Sequence, residues 1–169
     1  MPQRVVIYGP EGVGKSKAAS QFPRPVFIDT EGSTEHMDVA RTPRPSSWSH
    51  LLSIVGELKR DTHGFSTLVI DTADWAQRLC ITELCSKQQK DGIEGFGYGK
   101  GYTYLAEEFG KLLDALSELR NVGMNIVLVA HANTRKFELP EEEGSFDKWE
   151  LKLEKKVASL IKEWGDMVL

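Results

Sequence analysis

The run Gly9-Pro10-Glu11-Gly12-Val13-Gly14-Lys15-Ser16 has the residue types and spacing of a phosphate cradle. Its glycines let backbone N–H groups curl round a β-phosphate at the positive end of the helix that follows. Lys15 neutralises β and γ oxygens, and the Ser16 hydroxyl ligates Mg²⁺. By residue usage alone the pattern arises in roughly one chain of this size in a couple of hundred, so its flanks decide. The apolar strand Arg4 to Tyr8 precedes it and a helix from Lys15 follows, which an ordinary glycine-rich turn would lack. The chemistry expected is binding of a nucleoside triphosphate with Mg²⁺. Adenine is the default base, because no Asn-Lys-x-Asp guanine-reading motif occurs and the corresponding strand end reads Ala130-His131-Ala132-Asn133.

Such a loop needs a second carboxylate on the metal. Asp71 closes the apolar segment Thr67-Leu68-Val69-Ile70 and has that position; capping of the next helix is its ordinary alternative, and the two roles can coexist. Asp74, one turn further on, is expected to serve the first turn of that helix. Hydrolysis also requires a group that orients and deprotonates water. Glu31, just past Phe27-Ile28-Asp29, is favoured over Asp29, which a strand edge can hold; a solvated loop glutamate is the bland reading. His131 follows the strand Asn125 to Ala130 and faces either the γ-phosphate or nothing more than a satisfied strand end. His36, His50 and His63 show no metal-ligand spacing.

The elements that must position these residues alternate. Short Val/Ile-rich runs at Arg4 to Tyr8, Val26 to Asp29, Thr67 to Asp71 and Asn125 to Ala130 read as buried strands of one mostly parallel sheet. Helices are expected from Lys15 to about Gln21, Ser47 to about Arg60, Thr72 to about Gln89, Tyr102 to about Arg120 and Lys155 to about Trp164. The fold class is α/β. With 169 residues, 40% hydrophobic and 27% charged, one domain over 1–169 is expected. Asp166 to Leu169 looks like the start of a further strand, which suggests a chain cut within its natural fold.

Three irregular stretches remain: Thr30 to Ser46, the glycine-rich Asp91 to Gly101, and the polar, acidic Asn133 to Lys148. Long loops on a compact α/β core are where substrates and partners bind. Cys80 and Cys85 fit neither a zinc pair nor a disulfide framework and read as packed free thiols. No run approaches membrane-span length and no signal peptide is visible, so a cytoplasmic protein without a membrane partner is expected. The net charge of −4 and a pI near 5.6 exclude a global positive field, so nucleic-acid contact would have to be local.

Tyr8 to Ser16, Val26-Phe27-Ile28-Asp29-Thr30-Glu31-Gly32, Thr67 to Trp75 and Gly97-Tyr98-Gly99-Lys100-Gly101 together resemble the phage nucleotide-binding proteins of the RecA-like P-loop ATPase superfamily, over most of the chain. The resemblance implies a RecA-like core acting with single-stranded DNA in annealing and recombination. It implies Glu31 as catalytic base and His131 at the place of a polar switch residue, although His131 stands where RecA has glutamine. Asp91 to Gly101 and Asn133 to Lys148 would be the DNA-facing loops. Self-association would follow, with Lys152, Lys155 and Lys156 reaching a neighbour's site in trans and the monomer turning over poorly; a single-strand-binding protein is a further implied partner.

Independent chemistry favours the first loop. Phe96, Tyr98, Lys100, Tyr102 and Tyr104 interleave aromatics with a cation, as base stacking needs, unless the rings tuck into the core. The second loop sets Arg135 and Lys136 against Glu138, Glu141, Glu142 and Glu143, which repel phosphate. Two other readings stay open: a P-loop kinase gripping a phosphorylated acceptor through Arg41 and Arg44, and a non-catalytic module that uses ATP as a structural ligand.

Overall fold

The computed structural model describes residues 1–138 and 145–169, with backbone only at 135–138 and 145–147. Strands β1 (Arg4–Gly9), β2 (Pro25–Asp29), β4 (Thr67–Asp71) and β5 (Asn125–Glu138) are the expected apolar runs, joined by the two-residue β3 (Ala40–Arg41) and β7 (Met167–Val168) and by β6 (Ser145–Leu151). The order across the sheet is β3-β2-β4-β5-β1-β7, all parallel, with β6 antiparallel to β5. This mostly parallel sheet flanked by helices is the expected α/β fold.

Strand residues alternate between two cores, as a period of two requires. Val6, Val26, Ile28, Leu68, Ile70, Ile126, Leu128 and Ala130 face α2 (Trp48–Arg60), α3 (Ala73–Lys87), α4 (Lys100–Asn121) and α5 (Lys155–Trp164). Val5, Phe27, Val69, Val127 and Val129 face the other way, towards Ala19 of α1 (Lys15–Ser20). The large core is centred on α4, whose Leu105, Phe109, Leu112 and Leu116 are fully buried at helical spacing, with Phe109 stacked on Trp48 at 5.7 Å. Cys80 and Cys85 are free and buried; burial pushes the Cys80 thiol up to about 12, which leaves it unreactive.

Local expectations need correction in three places. The described residues of Asn133 to Lys148 are strand, not irregular loop: β5 runs on to Glu138 and pairs with β6, from Ala132↔Leu151 to Glu138↔Ser145. The strand pairing of β5 with β6 satisfies the backbone N–H and C=O groups there. The side chains of Arg135, Lys136 and Glu138, and residues Glu141, Glu142 and Glu143, lie outside the described residues. Asp91 to Gly101 contains a 3-10 turn at Ile93–Phe96, and α4 begins at Lys100, two residues before Tyr102. Thr30 to Ser46 contains β3. Among the described residues no helix is long and apolar enough to cross a membrane.

Candidate active site

The strand order decides which residues meet. At the carboxyl edge of the sheet β2, β4, β5 and β1 lie side by side, with Asp29 opposite Asp71, Asp71 opposite Val129, and Gly9 opposite His131. Glu31, Asp71, His131 and the Gly9–Ser16 loop are thereby brought to one edge. Glu31, Asp71 and His131 line one cavity of about 980 Å³ together with Glu11, Gly12, Gly14, Lys15 and Ser16 of the loop. The cavity runs on past the loop between Lys17 and Gln21 on one side and His36, Met37 and Asp38 on the other, with room for more than a phosphate chain.

The loop takes its shape from two left-handed residues, Gly12 at φ 79° and Gly14 at φ 93°, where a β-carbon would strain the backbone. Gly14 also opens α1, which is only six residues long, so converging N–H groups matter here more than a helix dipole. Lys15 is 9% exposed, and its ammonium turns into the loop, donating to the carbonyls of Gly9 at 2.9 Å and Pro10 at 2.7 Å.

Ser16 donates its hydroxyl to Asp71 Oδ2, so P-loop and β4 are in direct contact. Burial raises the Asp71 carboxyl above its ordinary range; the Ser16 hydroxyl opposes this, Asp29 and Glu31 add to it, and His131 opposes it. One hydroxyl and one carboxylate in contact, within a negative field, form a donor set suited to Mg²⁺, which draws its other ligands from phosphate and water. Among the described residues no cluster of three or more His, Cys, Asp or Glu could hold a metal alone.

Asp29 and Glu31, two residues apart, have different surroundings. Asp29 accepts from the backbone N–H of Glu31, Gly32 and Thr34 at 3.1, 2.6 and 3.0 Å and from the Thr34 hydroxyl at 2.5 Å. Burial alone would raise its carboxyl, but the Thr34, Gly32 and Glu31 hydrogen bonds outweigh it and hold the group low. All of its acceptor capacity goes into shaping the turn that presents Glu31. Glu31 instead points into the cavity, where its Oε2 accepts from Thr72 Oγ1 at 3.2 Å and meets His131 Nε2 at 3.2 Å. Oε1 has no protein partner among the described residues.

Thr72 is a site residue that the sequence does not single out. Its hydroxyl donates to Glu31 while accepting from Trp75 N–H as the cap of α3, and its backbone exchanges hydrogen bonds with the Thr30 hydroxyl at 2.8 Å. A threonine after a strand-end aspartate reads as a cap and nothing more. Asp74 lies in the first turn of α3 as expected and has a second role: its Oδ2 accepts the backbone N–H of His131 at 2.8 Å, across from α3 to β5. Arg41 donates to the Thr34 and Met37 carbonyls, and Arg44 to the Thr30 carbonyl. Both guanidiniums brace their own loop, which weakens the kinase reading.

The aromatic segment lies apart from this cavity, over the end of α3. Tyr98 is fully exposed and Tyr104 is 40% exposed, with Phe96 edge-on to Tyr104 at 5.5 Å and the Tyr102 hydroxyl donating to Glu94 at 3.0 Å. The rings are thus divided between packing and solvent. Lys90, Lys100, Phe96 and Tyr104 border a second hollow of about 400 Å³. Of the basic residues near the chain's end, Lys156 donates to Thr103 at 2.9 Å, the Lys152 backbone N–H donates to the His131 carbonyl at 3.0 Å, and Lys155 is exposed.

The family model described as "AAA domain" matches residues 1–169. A curated relative, the SPbeta prophage-derived uncharacterized protein YorG of Bacillus subtilis (strain 168), is 24% identical over 137 residues. That match covers 76% of this chain and 40% of the relative, so the chain spans about two fifths of YorG's length.

Proposed function

The chain belongs to the AAA domain family of P-loop proteins, and on that premise we propose that it is an Mg²⁺-dependent ATPase whose turnover is linked to single-stranded DNA. The observation that carries the reading is the convergence of Lys15, Ser16, Asp71 and Glu31 on one cavity, with one Glu31 oxygen left without a protein partner among the described residues. The Gly9–Ser16 backbone cradles the phosphates, and the Lys15 ammonium exchanges its loop carbonyls for β and γ oxygens. Ser16 and Asp71 would hold Mg²⁺, which would supply positive charge to offset that of the phosphate oxygens. Glu31 accepts a proton from the attacking water as its oxygen bonds to the γ-phosphorus, and the bond to the bridging oxygen breaks to leave ADP and phosphate. His131, at hydrogen-bond distance from Glu31 and at the root of the β5–β6 ribbon, relates the state of the γ-phosphate to that ribbon.

The DNA half of the reading is supported by the exposed Tyr98 and Tyr104 beside Lys100, a sequence-tolerant stacking surface on a chain of net negative charge. The prophage origin of YorG supports a phage setting and recombination or annealing as the context. Self-association completes the proposal, with the exposed Lys155 as the candidate for a neighbour's site, because a single lysine supplies less than the charge stabilisation phosphoryl transfer needs. The test is Mg-dependent ATP turnover with and without single-stranded DNA, with Lys15→Ala as control. Stimulation by DNA that Lys15→Ala abolishes is expected. Turnover indifferent to DNA sinks the DNA half, and no turnover at any DNA or protein concentration leaves a binding module.

A further inference from the structure

We propose that Asp74 is a positioning residue for hydrolysis: by pinning the backbone of residue 131 it sets the His131 imidazole against Glu31. The inference rests on the reading of Glu31 as base.

The β4–β5 ladder ends at Asp71↔Val129, and after it β4 turns away into Thr72 and α3. The His131 N–H, two residues beyond, therefore has no β4 carbonyl to meet, and a half-buried donor without a partner is costly. Asp74 takes the carbonyl's place, its Oδ2 lying 2.8 Å from that N–H. The Thr72 hydroxyl caps α3 by accepting from Trp75 N–H, so the reach of Asp74 to His131 is additional to its place in the first turn. Gln77, one turn further on, accepts the Glu154 N–H at 3.0 Å, so α3 is fastened to the end of the β5–β6 ribbon at two successive points. Only the first of these carries a side chain into the site. The His131 carbonyl is held as well, by Lys152 N–H at 3.0 Å, so both backbone groups of residue 131 are fixed.

The ring makes one hydrogen-bond contact among the described residues. Nε2 meets Glu31 Oε2 at 3.2 Å, while Nδ1 is buried with no partner among them. Nε2 is thereby placed to donate to the carboxylate. With one hydrogen bond to the ring among the described residues, the alignment of Nε2 on Glu31 depends on where the backbone of residue 131 sits. Release of that backbone would let the ring drift and leave Glu31 on Thr72 alone.

The experiment compares Asp74→Ala, Asp74→Asn, His131→Ala, the Asp74→Ala/His131→Ala pair and Glu31→Gln in steady-state ATP turnover. Misplacement of about an ångström is worth up to about a hundredfold, so Asp74→Ala is expected to lower kcat about ten- to a hundredfold with KM for ATP little changed. Asp74→Asn keeps an acceptor oxygen and should restore most of the loss. The double variant should fall no lower than His131→Ala. Unchanged kcat in Asp74→Ala, or losses that multiply in the double variant, would overturn the proposal. If Asp74→Ala does not fold, Asp74→Ser, whose oxygen is one bond too short to reach, takes its place with the same expectation.

A second measurement separates this inference from the reading beneath it. Should Glu31→Gln turn over like the parent, Glu31 is not the base, and the proposed mechanism fails by itself. The His131 ring proton resonances in the nucleotide-free protein, assigned by loss in His131→Ala, report the hold without turnover. They should move in Asp74→Ala and stay in Asp74→Asn; resonances unmoved by Asp74→Ala refute the positioning role whatever the chemistry.

Discussion

Gly101 offers a way to disturb the aromatic segment while leaving the nucleotide cavity intact. A β-carbon there would lie 2.0 Å from the Ile93 carbonyl oxygen and 3.0 Å from the Phe96 ring, so the 3-10 turn at Ile93–Phe96 must move off α4 by more than an ångström. The turn contains no fully buried residue, so it can detach without opening the main core, and the cost is capped by what docks it. Those contacts are the partly buried Ile93, the Tyr102 hydroxyl's hydrogen bond to Glu94 and the edge-to-face pair of Phe96 and Tyr104, the last being worth about 0.5–1.5 kcal/mol beyond its buried area. Overpacking of this kind costs about 1–3 kcal/mol. At about 2–4 °C per kcal/mol for a chain of this size, Gly101→Ala should lower Tm by roughly 2–12 °C in a calorimetric scan. Single-stranded DNA affinity, read by fluorescence anisotropy of a labelled oligonucleotide, should fall because Tyr98 and Lys100 flank the displaced turn. Basal ATP turnover should hold, because no part of that turn lines the phosphate cavity. A parent-like Tm refutes the close-packing argument; a shifted Tm with intact DNA affinity refutes the role given to the aromatic segment.

Lys15→Ala should cut Mg-dependent ATP turnover by about a hundredfold or more, read by phosphate release. Glu31→Gln should lose about a hundred- to ten-thousandfold in turnover while still binding nucleotide, measured by fluorescent-analogue titration; nucleotide binding lost in parallel would make Glu31 a binding group instead. Asp166 is held down to about 2 by the side-chain hydrogen bonds from Arg4, with the Arg4 backbone N–H and Arg120 adding to it. A depressed carboxylate contributes stability that is complete above its ordinary 3.8 and is lost as pH falls towards about 2. The gap in urea midpoint between the parent and Asp166→Asn should therefore be open at neutral pH and close over that window. Phe109→Ala removes a fully buried ring stacked on Trp48 and should cost about 3–5 kcal/mol in a denaturant titration.

Much of this protein is legible in local sequence because its physics is local. Gly12 and Gly14 shape a cradle from consecutive residues, and four Val/Ile-rich runs could only be strands buried on both faces. The places where the reading stopped share one cause. Ala132 to Leu151 hides an antiparallel ribbon because pairing, not an apolar face, satisfies its backbone. The start of α4 is masked by Gly99, its left-handed cap at φ 68°, and by Gly101, which is needed for a close approach to Ile93 rather than for a loop.

The cradle, the Asp71 strand end and the α/β alternation follow from the chain alone, since each depends on neighbours a few residues away. The assignment of roles among the carboxylates does not. Asp29 and Glu31 differ by which of them Thr34 and the turn's N–H groups consume, and Glu31 meets His131 across 100 residues of chain. Asp74 reaches the same histidine across 57. Such contacts depend on strand order and on where each ladder ends, which hydrophobic pattern leaves open because every buried parallel strand looks alike. Only the folded sheet, by setting β2, β4, β5 and β1 side by side, decides that these groups share one cavity.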